Sequence, residues 1–341
     1  MTSKAVCLVS WLVGAAGLVL AAGAGSAETI KIGIGPVTAS APIFIAQEKG
    51  YFAAENLAAE AISFDAAQSV AQGVVAGDLD FGATAATAAA YNLAAKGGLK
   101  IIGGQGREVP SFHGAAILAS NHAWDAGLKS LKDMGNHVVG IVQVGGPIHY
   151  EVVLAAEKYG VEVESMRLVP LQGLSNLASA LAGGQVDAGV EVNTIALRLV
   201  DANKSHLLAW VGDETPWQNA ILLTATKTAD DRQKTVEAFL RAFKKGARDY
   251  YDAFTGPDGK RKDGPTAAET LALIAKHLNQ PPAQLQQGIS FVDPDAKLDV
   301  QDVMHQIAWF KSQRMLPESA DGAAMIDRRY VVPLTPPAAR P

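Results

Sequence analysis

The sequence predicts an α/β protein built from two similar lobes, and three observations carry that prediction. First, a short stretch occurs twice: Gly77-Asp78-Leu79-Asp80-Phe81-Gly82 and Gly184-Gln185-Val186-Asp187-Ala188-Gly189, with Asp80 and Asp187 standing 107 positions apart. Second, the match extends upstream at the same offset. The run Ala61 to Phe64 is echoed by Leu168 to Leu171, and Gln68 to Ala76 by Ser175 to Gly183. Each copy reads as strand, loop, helix, tight turn, strand. Third, 341 residues of which 49% are hydrophobic suffice for two lobes with a core each.

The chain order follows. Residues 1–27 read as a secretory leader: Lys4, an Ala- and Gly-rich apolar run from Ala5 to Ala22, and small residues ending Gly25-Ser26-Ala27. Cleavage there starts the chain at Glu28, removes Cys7, the sole cysteine, and places the protein in the periplasm or outside. Thr29 to Gly35 alternates and is β-branched, so it is the first strand. Pro42 suits a first helical turn, and a helix over Ile43–Lys49 ends at Gly50. Ala61–Phe64 and Asp80–Ala83 are strands flanking the helix Gln68–Ala76. Thr84 or Thr87 caps the next helix. Lys100–Gly104 and His113–Ala119 follow as strands. Ser120 to Gly135 is read as a crossing into the second lobe. That lobe repeats the plan with strands at 138–142, 167–171, 186–190 and 207–211, and Asn219 to Ala225 returns to the first lobe. The expected bounds are 28–118 for lobe 1, 119–218 for lobe 2, and 219–341 for the return plus helices. Pro333–Pro341 is expected to be disordered. Alternating strands and helices argue for parallel sheets, with ligand-binding loops beyond the strands' carboxyl ends.

A net charge of −5 without blocks of one sign gives no footprint for nucleic acid or an anionic membrane. No phosphate-binding loop, H-E-x-x-H or G-x-S-x-G stretch occurs, and Thr38 stands where a dinucleotide fingerprint starting at Gly33 needs its third glycine. The seven histidines show no i, i+4 pair, and no cofactor or metal is expected.

Candidate ligand contacts lie in the loops. Thr38, Ser40 and Thr84 are hydroxyls at helix starts, which either cap their own helix or meet a ligand. Gly145-Gly146-Pro147 is a strand-to-helix turn, either an ordinary connection or a place where backbone N–H groups receive an anion. His149 sits in the first turn beyond it. Arg107 suits a carboxylate or sulfonate through its planar fork. Glu191 ends a strand and either accepts from an amine or hydroxyl or caps a helix, and Trp217 offers an aromatic wall. Asp80 and Asp187 read as structural acceptors, and Trp309 and Phe310 as core.

The leader, the run Ala41-Pro42-Ile43-Phe44-Ile45-Ala46-Gln47-Glu48-Lys49-Gly50-Tyr51-Phe52 and the stretch Ala76-Gly77-Asp78-Leu79-Asp80-Phe81-Gly82 resemble the periplasmic solute-binding proteins of ABC importers. The subgroup is the nitrate/sulfonate/taurine type, related to thiamin-pyrimidine synthases. The resemblance covers Glu28 to Phe254. It implies a two-lobed hinge with two crossings, ligand contacts at Thr38, Ala39, Ser40, Ala83, Thr84 and Gly145–Pro147, a monomer, and a membrane permease and ATPase as partners. Relatives often carry Trp-Glu-Pro after the second-lobe strand, whereas this chain has Val190-Glu191-Val192-Asn193. The expected solute is a small organic oxyanion. The alternatives are an aminopyrimidine or other amine-bearing solute, a receptor presenting ligand to a sensor, and an iron-using synthase whose cysteine-rich motif is missing here.

Overall fold

The structure is a computed structural model that describes residues 27–335. The expected leader, apart from Ala27, and the last six residues of the proline-rich end lie outside the described residues. The strands are β1 Glu28–Ile34, β2 Leu57–Ser63, β3 Phe81–Ala85, β4 Leu99–Glu108, β5 Ala115–Ser120, β6 Val138–Ile141, β7 Arg167–Pro170, β8 Ala188–Val192, β9 Ser205–Trp210, β10 Trp217–Ala225 and β11 Phe291–Val292. They form two sheets, ordered β11-β4-β10-β3-β1-β2 and β7-β6-β8-β5-β9.

The repeat seen in the sequence is a repeat of register. Ile32 pairs with Ala61 and with Phe81; 107 positions on, Val139 pairs with Leu168 and with Ala188. Gly33 and Gly140 are equivalent, and both are glycine because a helix lies against them. A Cβ on Gly33 would sit 2.6 Å from a Leu79 methyl and 2.9 Å from one of Val70, and one on Gly140 would meet the equivalents Val186 and Leu177. Those side chains close the helices Ala67–Ala76 and Leu174–Ala182 onto their sheets.

Asp80 and Asp187 are likewise equivalent. Asp80 Oδ2 accepts the Lys31 N–H at 2.7 Å, and Asp187 Oδ2 accepts the Val138 N–H at 2.8 Å and His137 Nδ1 at 3.2 Å. Asp80 adds an ion pair to Arg232. Each acid satisfies a strand's orphan donor, the structural role that its place in a repeated strand argued.

Two expectations are corrected. The sheets are mixed, because β10 runs antiparallel to β3 and β4, and β5 antiparallel to β8 and β9. A strand that has just crossed from the other lobe enters the sheet from the opposite end, so it runs against strands delivered by helical crossovers. The lobe boundary expected at 118/119 also falls inside β5, which belongs wholly to the second sheet. The first crossing therefore lies between Glu108 and Ala115, and the second between Trp210 and Trp217. At the end of the chain, the Leu334 N–H bonds to the Leu298 carbonyl at 2.8 Å, so order runs past Pro333.

The helix Gln233–Phe254 covers one face of the first sheet, with Phe239 stacked on Phe81 at 4.0 Å. The helix Val300–Ser312 lies between the lobes. Its buried Trp309 and Phe310 pack on Tyr150 of the helix Pro147–Tyr159, at 5.4 and 6.3 Å, as core aromatics. The Tyr150 hydroxyl reaches Asp302 and His305 of the same helix. One apolar cluster thus runs from Tyr91 and Leu223 in the first lobe to Tyr150 and Val190 in the second, while the outer faces keep clusters of their own. Among the described residues, no helix is long and apolar enough to cross a membrane.

Replacing Asp187 with alanine leaves the partly buried Val138 N–H without its acceptor. The expected loss is about 1–3 kcal/mol in urea unfolding, with ligand affinity unchanged. Undiminished stability would show that the strand start does not need this acid.

Candidate functional site

The lobes meet where the loops beyond β3 and β6 face each other. The Ala88 N–H donates to the Gly145 carbonyl at 3.2 Å, and a Cβ on Gly145 would lie 3.2 Å from that of Ala88. Gly145 has φ 76°, which favours glycine, and a side chain would also crowd Met315. The Gly145 N–H donates to His149 Nδ1 at 3.1 Å, so a neutral His149 carries its proton on Nε2. His149 is 5% exposed and edges onto Trp309 at 4.9 Å; burial lowers its pKa. Gly146 donates to the Gln143 carbonyl, and Pro147 has no N–H to offer. The turn expected to receive an anion is therefore largely engaged with its own chain.

The first-lobe hydroxyls are also engaged. Thr38 donates to the Gly288 carbonyl at 2.7 Å and accepts the Ser290 N–H at 3.1 Å, tying the loop after β1 to the C-terminal segment. Ser40 is fully buried and donates to Gly35 O at 2.8 Å. Thr84 is buried with Ala67 O at 3.5 Å, and Thr87 caps the helix Ala88–Ala95. Ala83 is in the core of β3, and the Ala39 carbonyl receives the Gln105 amide at 3.1 Å. Thr38 and Ser40 thus have acceptors within their own chain, and Ala83 packs in the sheet. Arg107 is half-buried on β4, its guanidinium 5.5 Å from the Phe291 ring centroid. Burial lowers its pKa, and the charges of Asp299, Asp293 and Asp302 oppose that. These acids belong to the C-terminal segment, so Arg107 does not stand in the same group as Glu191.

Acidic groups are left over. Glu191, at the end of β8, is 0% exposed, and neither carboxyl oxygen has a hydrogen-bond partner among the described residues. Burial pushes its pKa up to about 8; the Val192 N–H and the Arg198 charge pull it down but form no bond to it. Asn193 beside it bonds the His113 and Gly114 carbonyls of the crossing and keeps an unpartnered Oδ1. Trp217 is 1% exposed, tilts onto Tyr150 at 5.2 Å and turns its N–H toward Glu151 without closing a hydrogen bond.

Glu108 and Glu151 were missed in the sequence. Glu151 was legible in principle, since it interrupts the apolar run Val152-Val153-Leu154-Ala155-Ala156 on the buried side of its helix. Glu108 closes a strand, and only the fold reveals that it stays inside. Burial pushes both pKa values up, Glu151 to about 7, and the Glu151 charge raises Glu108 further.

An acid raised from 4.5 to about 8 weakens the fold progressively as pH climbs between those values, because ionisation is easier in the unfolded chain. The expected outcome is that stability falls from pH 5 to 9 (about the range set by that shift). Glu191→Gln should lessen the fall, and Glu108 and Glu151 contribute slope of the same sign. Urea midpoints across pH measure it; equal slopes in the two proteins would refute the buried, unpartnered state of Glu191.

The profile of the family described as NMT1/THI5 like matches residues 37–254. The aliphatic sulphonate-binding protein SsuA of Escherichia coli superposes with a TM-score of 0.69 at 16% identity, covering 89% of this chain and 98% of that one. The alkanesulfonate-binding protein SsuA of Xanthomonas axonopodis pv. citri, solved with MOPS, gives 0.63 at 18% identity, with 89% and 99% covered. The nitrate-binding protein NrtA of Synechocystis PCC 6803 gives 0.61 at 16% identity, with 87% and 84% covered. No curated protein gives a significant sequence match. Identities this low establish a shared architecture and nothing about the solute. With its two sheets, two crossings and a profile match over most of both lobes, the chain has the periplasmic-binding-protein fold and belongs to the NMT1/THI5 like family.

Proposed function

We propose that the protein is the solute-binding component of an ABC import system, working in the periplasm with a membrane permease and ATPase, and that it captures a small amine-bearing organic solute between its lobes. Family membership, the fold and the lobe contact at Ala88 and Gly145 support the capture role. A solute touching both lobes favours the closed arrangement by its differential affinity for it. No covalent step is part of this reading.

One observation carries the ligand class. Glu108, Glu151 and Glu191 are buried near the crossings and strand ends, and one oxygen of each of the first two and both of Glu191 close no hydrogen bond among the described residues. Unpaired buried carboxylates are costly, and a cationic or multiply donating group offsets that cost. A sulfonate or carboxylate needs free N–H groups or a cation. The Gly145 and Ala88 N–H groups are bonded, and Arg107 lies on Phe291. The oxyanion expected from the sequence therefore ranks below the amine-bearing alternative.

Thermal shift followed by calorimetry, with primary amines, aminopyrimidines, alkyl sulfonates and aromatic carboxylates, tests this. Stabilisation by amine-bearing compounds is the expected result. Selective binding of a sulfonate or carboxylate would overturn the ligand class while leaving the capture role standing.

A further inference from the structure

Glu108, Glu151 and Trp217 meet where both crossings pass between the lobes. Glu108 ends β4, Trp217 begins β10 opposite it, and Glu151 comes from the second-lobe helix Pro147–Tyr159. Their exposures are 6%, 4% and 1%. One oxygen of each carboxyl and the indole N–H lack hydrogen-bond partners among the described residues. The amides beside them also present acceptors. Asn219 gives its Nδ2 to Glu108 Oε1 at 3.3 Å and keeps an unpartnered Oδ1. Gln105, 2% exposed, gives its Nε2 to Ala39 O and keeps an unpartnered Oε1. Gly106 stands between these groups with no side chain, and a Cβ there would lie 3.1 Å from Asn219 Oδ1.

We propose that this cluster is a subsite for a compact monovalent cationic group, the ammonium end of the captured solute, held between Glu108 on one side of the hinge and Glu151 on the other. The inference rests on the reading of the protein as a receptor for an amine-bearing solute, and it says where the amine goes. An ammonium has three donors, and the two carboxyls and the Asn219 oxygen offer three acceptors. The Trp217 N–H gives a hydroxyl or carbonyl next to the amine a donor to meet. Because the subsite is divided between the lobes, a cation bound there ties them together.

Burial raises both carboxyls and the Glu151 charge raises Glu108 further, so the pair retains protons until a cation enters and then releases one to solvent. The other titratable groups nearby have partners elsewhere. Asp302 accepts from Gln218, Gln306 and Tyr150; His305 meets Tyr150 and Glu157; Glu214 holds Lys158 and Tyr159; Asp213 holds His113 and Ser111; and His149 accepts from Gly145.

The test titrates the chain with ethanolamine, propylamine and potassium chloride at several pH values, in buffers of different ionisation enthalpy. The same titrations are run on Glu108→Gln, Glu151→Gln and Glu191→Gln, with circular dichroism to verify folding. The expected result is amine binding that releases a proton and tightens as pH rises through the Glu151 range, weakened about 10- to 100-fold by each of Glu108→Gln and Glu151→Gln. Potassium binding with the same losses would keep the subsite and assign it to a free metal cation. Amine binding that survives both substitutions but is lost in Glu191→Gln would overturn the subsite and leave the proposed function intact. Sulfonate binding without amine binding, in the ligand screen above, would overturn the amine-bearing ligand class and the subsite with it, and leave the capture role standing. Binding of none of the three probes would overturn the subsite.

Discussion

A helix resting directly on a glycine of a strand sets the geometry of both lobes. Gly33 and Gly140 let one side chain of the packed helix (Val70, Leu177) and one of the turn after it (Leu79, Val186) reach the sheet backbone. A larger residue in either place would push the helix away and lose contacts on both sides. With that spacing fixed, the aspartate at the turn falls where it can accept the N–H at the start of the neighbouring strand. Strand ends therefore project equally far in the two halves, and the lobes can face each other across matched loops.

Matched scaffolds carry unmatched ends. Thr84 and Glu191 occupy equivalent places, 107 positions apart, at the ends of β3 and β8. The threonine hydroxyl is neutral and finds a carbonyl at 3.5 Å within its own lobe. The glutamate is fully buried and finds no partner among the described residues. A neutral hydroxyl costs little to bury, whereas a carboxylate without a partner shifts its pKa or demands a donor. The symmetry belongs to the fold, and the departures from it point to chemistry.

The repeat, the strand positions and the C-terminal helices were legible because each follows from local periodicity. The directions of β5 and β10 were not, since which sheet a strand joins depends on where the chain has crossed, and nothing in Ala115–Ser120 itself encodes that. At the site, sequence reasoning favoured hydroxyls near helix starts. Thr38 and Ser40 do have hydroxyls in the right loop, yet Gly288 and Gly35 supply nearer acceptors. Glu191 was legible as a strand-end acid, and Trp217 as an aromatic near the return. Glu151 left a trace as an acid beside an apolar helical run, but Glu108 left none, because an acid is informative only once it is known to be buried, and burial here depends on the two lobes coming together.

That dependence separates the two kinds of contact between the lobes. On one side the helix Val300–Ser312 joins them through Trp309, Phe310 and Tyr150, an apolar seam with satisfied hydrogen bonds. Such a seam is favourable whether or not a solute is present. On the other side the crossings bring Glu108 to Glu151, and two carboxyls brought out of water near each other oppose closure whenever they ionise. The seam supplies a standing bias toward closure, and the acids supply a condition that protons or a cation must meet. A hinge balanced in this way responds to a small solute, because the solute acts on the one unfavourable contact and leaves the favourable one alone.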